Sequence, residues 1–274
     1  MKVPDWIVYG AALGLIIGIT GHWAENSVAP EAPPPPGPGE MALFATFTPF
    51  SPSEIITLPL MDKQEKRGTA FSVSKDGEWV VARESLKECA HPFINVGGNL
   101  GVPFTTRQID GLENYVLAVT SGGGRPLPMA APNSLKPGMR GFMPGFPQGH
   151  IGEATARLIG ETRLKSRRRF EGPETVMAWA VAGRTQNIPG SLNQLLGGPT
   201  LNAQSEVVGI TIKTKPRRGR IYSSTPQTLT ALTTASSRPQ ETGPENLLTR
   251  RNYGTVSDTL RREYRVVQVG CIKT

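Results

Sequence analysis

Two adjacent glycines and a proline, Gly197-Gly198-Pro199, separate the apolar pair Leu195-Leu196 from the segment Thr200-Leu201-Asn202-Ala203-Gln204-Ser205-Glu206-Val207-Val208-Gly209-Ile210. Glycine and proline punctuate the chain here. Beyond them the segment reads as a short turn and then a strand, Val207-Val208-Gly209-Ile210. A second block has the same character. Gly68-Thr69-Ala70-Phe71-Ser72-Val73 is β-rich, Lys75-Asp76-Gly77 is a turn, and Trp79-Val80-Val81-Ala82-Arg83-Glu84-Ser85 begins as a second β-rich run, so the three predict a hairpin. Short apolar runs between turns, with 31 Gly and 25 Pro, favour a β-rich globular fold, and no internal sequence repeat is present.

These blocks carry a resemblance. Leu195-Leu196-Gly197-Gly198-Pro199 with its following strand is similar to the G-x-S-G-G-P turn of trypsin-like serine proteases, and Gly68–Ser85 is similar to the G-T-A-F-x-V hairpin of their bacterial members. Leu135-Lys136-Pro137-Gly138 with Gly145-Phe146-Pro147-Gln148-Gly149 resembles the segment opening the second barrel of HtrA-like proteases. The run from Arg217 to Pro226 fits the strand after the nucleophile turn. The resemblance spans residues 66–228. It implies an all-β fold of two antiparallel six-stranded barrels, the first over about 41–124 and the second over about 126–232, followed by a C-terminal tail, 233–274.

The resemblance also implies that the triad is lost. Leu196 stands where the nucleophilic serine belongs and has no hydroxyl to acylate. Glu84 holds the place of the histidine. Asn114, in Asn114-Tyr115-Val116-Leu117-Ala118-Val119, aligns with the aspartate, with Asp110 as its rival. Gln194, Leu195 and Leu196 correspond to the oxyanion turn, and Gln194 replaces the usual glycine, which predicts a reshaped turn. His22, His91 and His150 read as surface histidines and Ser191 as a loop serine. A catalytic triad needs a base beside the nucleophile and a group that orients the base. The expected function is therefore a pseudoprotease that binds or scaffolds a partner. The alternative is a serine-type peptidase or other hydrolase with a non-standard site.

The N-terminus predicts location. Residues 6–23, bounded by Trp6 and Trp23, contain no Lys, Arg, Asp or Glu. That length is near the lower limit for a single transmembrane helix, roughly 17–25 residues, and the tryptophans fit interfacial anchors. Lys2 precedes the segment and no basic residue follows until Lys63, whereas Glu25, Glu31 and Glu40 come first. The bias places residues 1–5 in the cytoplasm and the large domain, 42–274, in the periplasm of a bacterial inner membrane. A cleaved signal peptide ending near Ser27-Val28-Ala29 is the rival reading. Gly10, Gly14 and Gly18 share one helix face and predict a helix–helix contact. Residues 24–41 form a proline-rich linker, an arm on the order of 25 Å in its polyproline part. Two cysteines outside the inner membrane predict one disulfide, Cys89–Cys271, with two free thiols as the rival. In the tail, Ser257–Tyr264 reads as a helical turn capped by Ser257, and Arg265–Ile272 as a strand that returns to the body.

The chain carries a net charge of +8. Arg163, Lys165, Arg167, Arg168 and Arg169 form one basic run, and Lys213, Lys215, Arg217, Arg218 and Arg220 another. Outside the cytoplasm these favour anionic lipid, an envelope polymer or an acidic protein surface over nucleic acid. The expected partner is a protein in or at the membrane, a second copy or a larger membrane complex. No metal-ligand cluster, phosphate loop or nucleotide fingerprint is present, so neither cofactor nor metal is expected.

Overall fold

The structure, a computed structural model, describes residues 49–59, 64–164, 174–185, 188, 191–215, 218–235 and 247–273. Among them lie two β-sheets and two α-helices. The first sheet contains β1 (Ile56–Thr57), β2 (Gln64–Ser74), β3 (Glu78–Ala82), β4 (His91–Gly97), β5 (Leu100–Pro103), β6 (Thr105–Gln108), β7 (Tyr115–Val119) and, from the far end of the chain, β14 (Val266–Ile272). Its strand order is β1-β5-β4-β14-β2-β3-β7-β6. The second is a closed barrel of β8 (Arg140–Gly145), β9 (Gly152–Leu164), β10 (Glu174–Arg184), β11 (Pro199–Leu201), β12 (Val207–Lys215) and β13 (Arg220–Ser223). Helices α1 (Pro226–Ala235) and α2 (Tyr253–Arg262) come after the barrel.

Alternation along the strands sorts side chains between separate cores, as the two-residue period requires. On one face of the first sheet Ala70, Trp79, Val81, Val116, Ala118, Val267 and Val269 pack together. On the other, Phe71, Val80, Leu117 and Val266 meet Phe142, Val207 and Ile210 of the barrel wall, with Leu229, Val256 and Leu260 of the helices. The barrel interior is a third core containing Met143, Ala154, Ala156, Leu158, Trp179, Leu195, Val208 and Ile221. Both buried indoles find acceptors: Trp79 Nε1 donates to Thr120 Oγ1 and Trp179 Nε1 to Ser223 Oγ, each at 2.9 Å.

The expectation of two six-stranded barrels holds for the second unit only. The first is an eight-stranded sheet with β14 at its centre, paired to β2 on one side and β4 on the other. Burial explains that placement. Val266–Cys271 is buried throughout, as a central strand demands, and Gly270 lies so flat on Phe93 that a Cβ there would fall 2.3 Å from the ring. The returning tail is fixed by more than pairing. Cys89 and Cys271 form the disulfide, with Cα atoms 5.8 Å apart. Arg265, 1% exposed, donates from Nε to the Arg125 carbonyl (3.1 Å) and from Nη2 to the Pro126 carbonyl (2.9 Å), clamping the crossing between sheet and barrel.

Helix α2 begins four residues before the expected cap, with Asn252 at the N-cap position, and Ser257 lies buried within it. The helical recurrence of Tyr253, Val256 and Leu260 in the inter-sheet core fixes this start. At its other end Arg261 donates to Glu153 Oε2 from Nη1 and Nη2 (3.0 and 3.1 Å), and Thr185 donates to Glu153 Oε1 (2.9 Å). Burial pushes the Glu153 carboxyl up, and Arg261 and the hydrogen bonds offset part of that rise.

Among the described residues no helix is long and apolar enough to cross a membrane. The anchor expected over 6–23, with Gly10, Gly14 and Gly18, and the linker over 24–41 lie outside the described residues.

Candidate functional site

Sheet and barrel meet at the Leu195-Leu196-Gly197-Gly198 turn, closed by the Gly198 N–H on the Leu195 carbonyl (2.9 Å). Leu195 points into the barrel core and is fully buried, while Leu196 at the apex is half-buried. Gly197 has φ +84°, which favours glycine in the third position of a type II turn. Space requires it too: a Cβ would lie 2.5 Å from the Thr69 carbonyl oxygen and 2.9 Å from the Ala82 nitrogen.

Strand β2 clamps the turn. The Thr69 N–H donates to the Leu196 carbonyl (3.0 Å), and Thr69 Oγ1 donates to the Gln194 carbonyl (2.6 Å) while accepting from the Phe146 N–H (3.2 Å). Gln194 takes φ +69°, a left-handed conformation that glycine adopts without strain. The glutamine keeps this geometry through its own side chain, whose Nε2 donates to the Lys66 carbonyl at 2.7 Å. Lys66 Nζ and Gln268 Nε2 both donate to the Gly149 carbonyl (3.1 Å each), joining β2, β14 and the turn at Pro147–Gly149. The N–H groups of Gln194 and Leu196 have no acceptor among the described residues. Two free backbone donors therefore flank Leu195.

The end of β3 and the turn after it adjoin this junction. After β3, residues Arg83–Leu86 form a 3-10 turn, and the Arg83 N–H donates to the Asn114 carbonyl at 3.0 Å. Asn114 thus abuts the Glu84 turn from the start of β7, while Asp110 sits in the exposed turn after β6. Glu84 and Asn114 are both exposed. The residue that faces inward is Ser85, 3% exposed. A Cβ on Gly68 would lie 2.4 Å from Ser85 Oγ and 3.0 Å from the Leu196 carbonyl oxygen, so Ser85 rather than Glu84 lies against the Leu196 turn. The reason is local. Two-residue alternation ends at Ala82, and in the tight turn after it the one uncharged small residue of Arg83-Glu84-Ser85 is the one buried. Among the described residues Ser85 Oγ has no hydrogen-bond partner. Sequence reasoning passed over Ser85; its small size beside two charged residues was the available signal.

The other candidates have loop, surface or core places. Ser191 Oγ accepts from the Asn193 N–H (3.1 Å), a loop role. His91 and His150 are exposed, and His22 lies outside the described residues. Tyr115, next to Asn114, is fully buried, and burial above all, then the Glu174 carboxylate, pushes its phenol well above the ordinary value. It is neutral at physiological pH. Among the described residues no group of His, Cys, Asp and Glu is placed to hold a metal.

No protein-family model and no curated protein sequence matches the chain. Solved structures do. The inactive form of the Rv3671c protease superposes with a TM-score of 0.51 at 17% identity, over 76% of this chain and 100% of that one. The apo MamO protease domain from Magnetospirillum magneticum superposes at 0.47 and 17%, over 60% of this chain and 87% of that one. The HtrA-type protease AlgW with a decapeptide gives 0.47 and 11%, over 61% and 50%. Identities this low speak for the fold and not for the chemistry, and the fold is that of the trypsin-like serine proteases.

Proposed function

We propose that the chain is a membrane-anchored periplasmic binding or accessory protein that uses the protease cleft without protease chemistry. Leu196 carries the reading: the side chain at the apex of the nucleophile turn is an alkyl group with nothing to acylate. The surroundings agree with it. Glu84 and Asn114 face solvent, and Ser85 is shut away from any substrate. The backbone around Leu196 keeps its glycine turn, its clamp to β2 and two unpaired N–H donors, a surface suited to a peptide carbonyl that is held and not cleaved.

The anchor over 6–23, the charge bias around it and the Cys89–Cys271 bridge, which fits an oxidising compartment, support the periplasmic placement. The partner of this reading is a protein at the membrane, met across the cleft. Described members of the two basic runs stand on the adjoining β9–β10 and β12–β13 hairpins and suit an acidic surface or anionic lipid.

Activity assays on the purified full chain test the reading. The wild type is expected to leave peptide esters uncut and a serine-directed phosphonate unreacted. Leu196→Ser is expected to stay inactive, alone or with Glu84→His, because position 84 faces solvent and supplies no base to the new hydroxyl. Cleavage by the wild type that is abolished by Ser85→Ala or Ser191→Ala would return the chain to the hydrolases.

A further inference from the structure

The outer wall of the barrel carries an arrangement that the cleft does not explain. In the β8–β9 ladder Arg140 lies directly opposite Arg157, and Phe142 opposite Thr155. Met143, Ala156 and Leu158 fill the barrel interior, so by alternation both arginines stand on the outside. Like charges directly opposed across two strands are destabilising.

Helix α2 lies along the same wall. Tyr253, its first residue, packs on Phe142 with ring centroids 5.6 Å apart, and Arg261 in its last turn pairs with Glu153. In the register, Arg140 and Arg157 sit two pairs beyond Phe142 and Thr155, the next pair on the same face, on the side away from Glu153. The N-terminal end of α2, positive by its dipole, is therefore the end directed towards the two arginines. Arg250 lies in the turn that leads into α2, three residues before Tyr253. Burial first, then the charges of Arg157 and Arg250, push the Arg140 guanidinium below its usual range.

Among the described residues none of the three has a carboxylate at salt-bridge distance. The bonds recorded for them go to neutral acceptors: Arg140 Nη1 to Thr155 Oγ1 and Arg157 Nη1 to the Gly138 carbonyl, both 3.2 Å. Tyr253, 1% exposed, has a hydroxyl without a partner among the described residues; burial first, then the Glu153 carboxylate, push its phenol up, and the Arg140 charge opposes them. Three cations beside a helix N-terminus, none with a carboxylate at salt-bridge distance among the described residues, and an orphaned buried hydroxyl next to them make an incomplete electrostatic set.

We propose that Arg140, Arg157 and Arg250, at the N-terminus of α2, form a binding site for a phosphate group. Guanidinium forks match phosphate oxygens bidentately, and a tetrahedral oxyanion accepts from several directions at once. One carboxylate would leave most of the positive charge uncompensated. The site does not depend on the cleft, and its failure would leave the proposed function standing.

Thermal unfolding of the detergent-solubilised full chain, titrated with inorganic phosphate at constant ionic strength, is the test. A saturable rise in Tm is expected with phosphate and not with acetate or chloride. Arg157→Gln and Arg250→Gln each remove a charge-assisted bond and are expected to weaken phosphate about tenfold or more. Without phosphate and at low salt, Arg157→Gln is expected to raise Tm by relieving the pair, which also shows that the variant folds. Lys87→Gln with Arg218→Gln, outside the cluster, is expected to leave the response unchanged. Reconstitution into phosphatidylcholine vesicles with and without phosphatidylglycerol separates the sources. A Tm gain from phosphatidylglycerol that Arg250→Gln removes, with no effect of inorganic phosphate, assigns the site to a lipid headgroup. A response to inorganic phosphate alone assigns it to a soluble phosphate. Equal shifts with acetate, or variants that keep the full response, overturn the proposal.

Discussion

Removing the disulfide is expected to destabilise the chain by several kcal/mol, chiefly through the denatured state. Cys89 and Cys271 are separated by 182 residues, so the bridge closes a loop spanning most of the described domain. In the chain-entropy treatment the denatured state loses about 2.1 + 1.5R ln n cal/mol/K, which for this loop gives about 5 kcal/mol at 25 °C. That figure is an upper bound, because a reduced denatured chain stays compact and keeps part of the constraint. The folded state loses little, since β14 remains paired with β2 and β4 and Arg265 still clamps the crossing. The double variant Cys89→Ser, Cys271→Ser is expected to fold and to unfold in urea with a loss of about 3–5 kcal/mol. With an m-value of about 2 kcal/mol/M, the midpoint falls by about 2 M. The m-value is expected to rise slightly, because the open chain exposes more surface. Tryptophan fluorescence and circular dichroism should give coincident transitions. A midpoint drop below about 0.3 M at unchanged m would refute the reasoning, since the bridge would then constrain nothing that the denatured chain explores.

Two further outcomes rest on the buried polar contacts. Arg261→Ala leaves the Glu153 carboxylate buried without its cation and is expected to cost about 3–5 kcal/mol at neutral pH in urea unfolding. Burial already holds the Glu153 folded pKa above its unfolded value, and losing Arg261 raises it further, so the deficit is largest above the folded pKa and shrinks as pH falls towards the ordinary carboxylate range; a deficit that grows on acidification would contradict this. At position 194 the strained backbone is the issue: Gln194→Gly loses the bond to Lys66 but removes the strain, whereas Gln194→Ala loses the bond and keeps it, so Ala is expected to be the worse by about 1 kcal/mol in thermal unfolding, and the reverse order would show that φ is not the determinant.

What was legible in the sequence was whatever local chemistry dictates. The Asp76-Gly77 hairpin, the Gly197-Gly198 turn and the cysteine pairing were readable because turn residues and compartment logic act at short range. The return of the tail was readable as a strand, but its insertion at the centre of the first sheet was not. Val266–Ile272 gives an apolar run, and an apolar run does not name its neighbours. The Glu153–Arg261 pair, 108 residues apart, leaves no trace in either local sequence. Around the site, alternation carries along β3 to Ala82 and fails in the 3-10 turn, where Ser85 and not Glu84 turns inward.

The junction also explains how chemistry and architecture separate in this fold. Everything that holds the Leu196 turn is backbone or a neighbour's side chain: the Leu196 carbonyl on the Thr69 N–H, the Gln194 carbonyl on Thr69 Oγ1, the Gly197 N–H on the Thr211 carbonyl at 2.9 Å, and glycine at 197 where no Cβ fits. The side chain at 196 enters none of these contacts. Position 196 is therefore free to vary without loosening the turn, whereas position 197 is not. Position 194 is intermediate, since Gln194 keeps a conformation suited to glycine only by adding a hydrogen bond of its own. A hydroxyl at 196 would be lost here at almost no cost to stability, because the fold never used it, and what persists is a rigid, donor-lined turn set between a sheet and a barrel. On the proposed reading, that asymmetry is what lets the cleft serve as a binding surface with leucine at position 196.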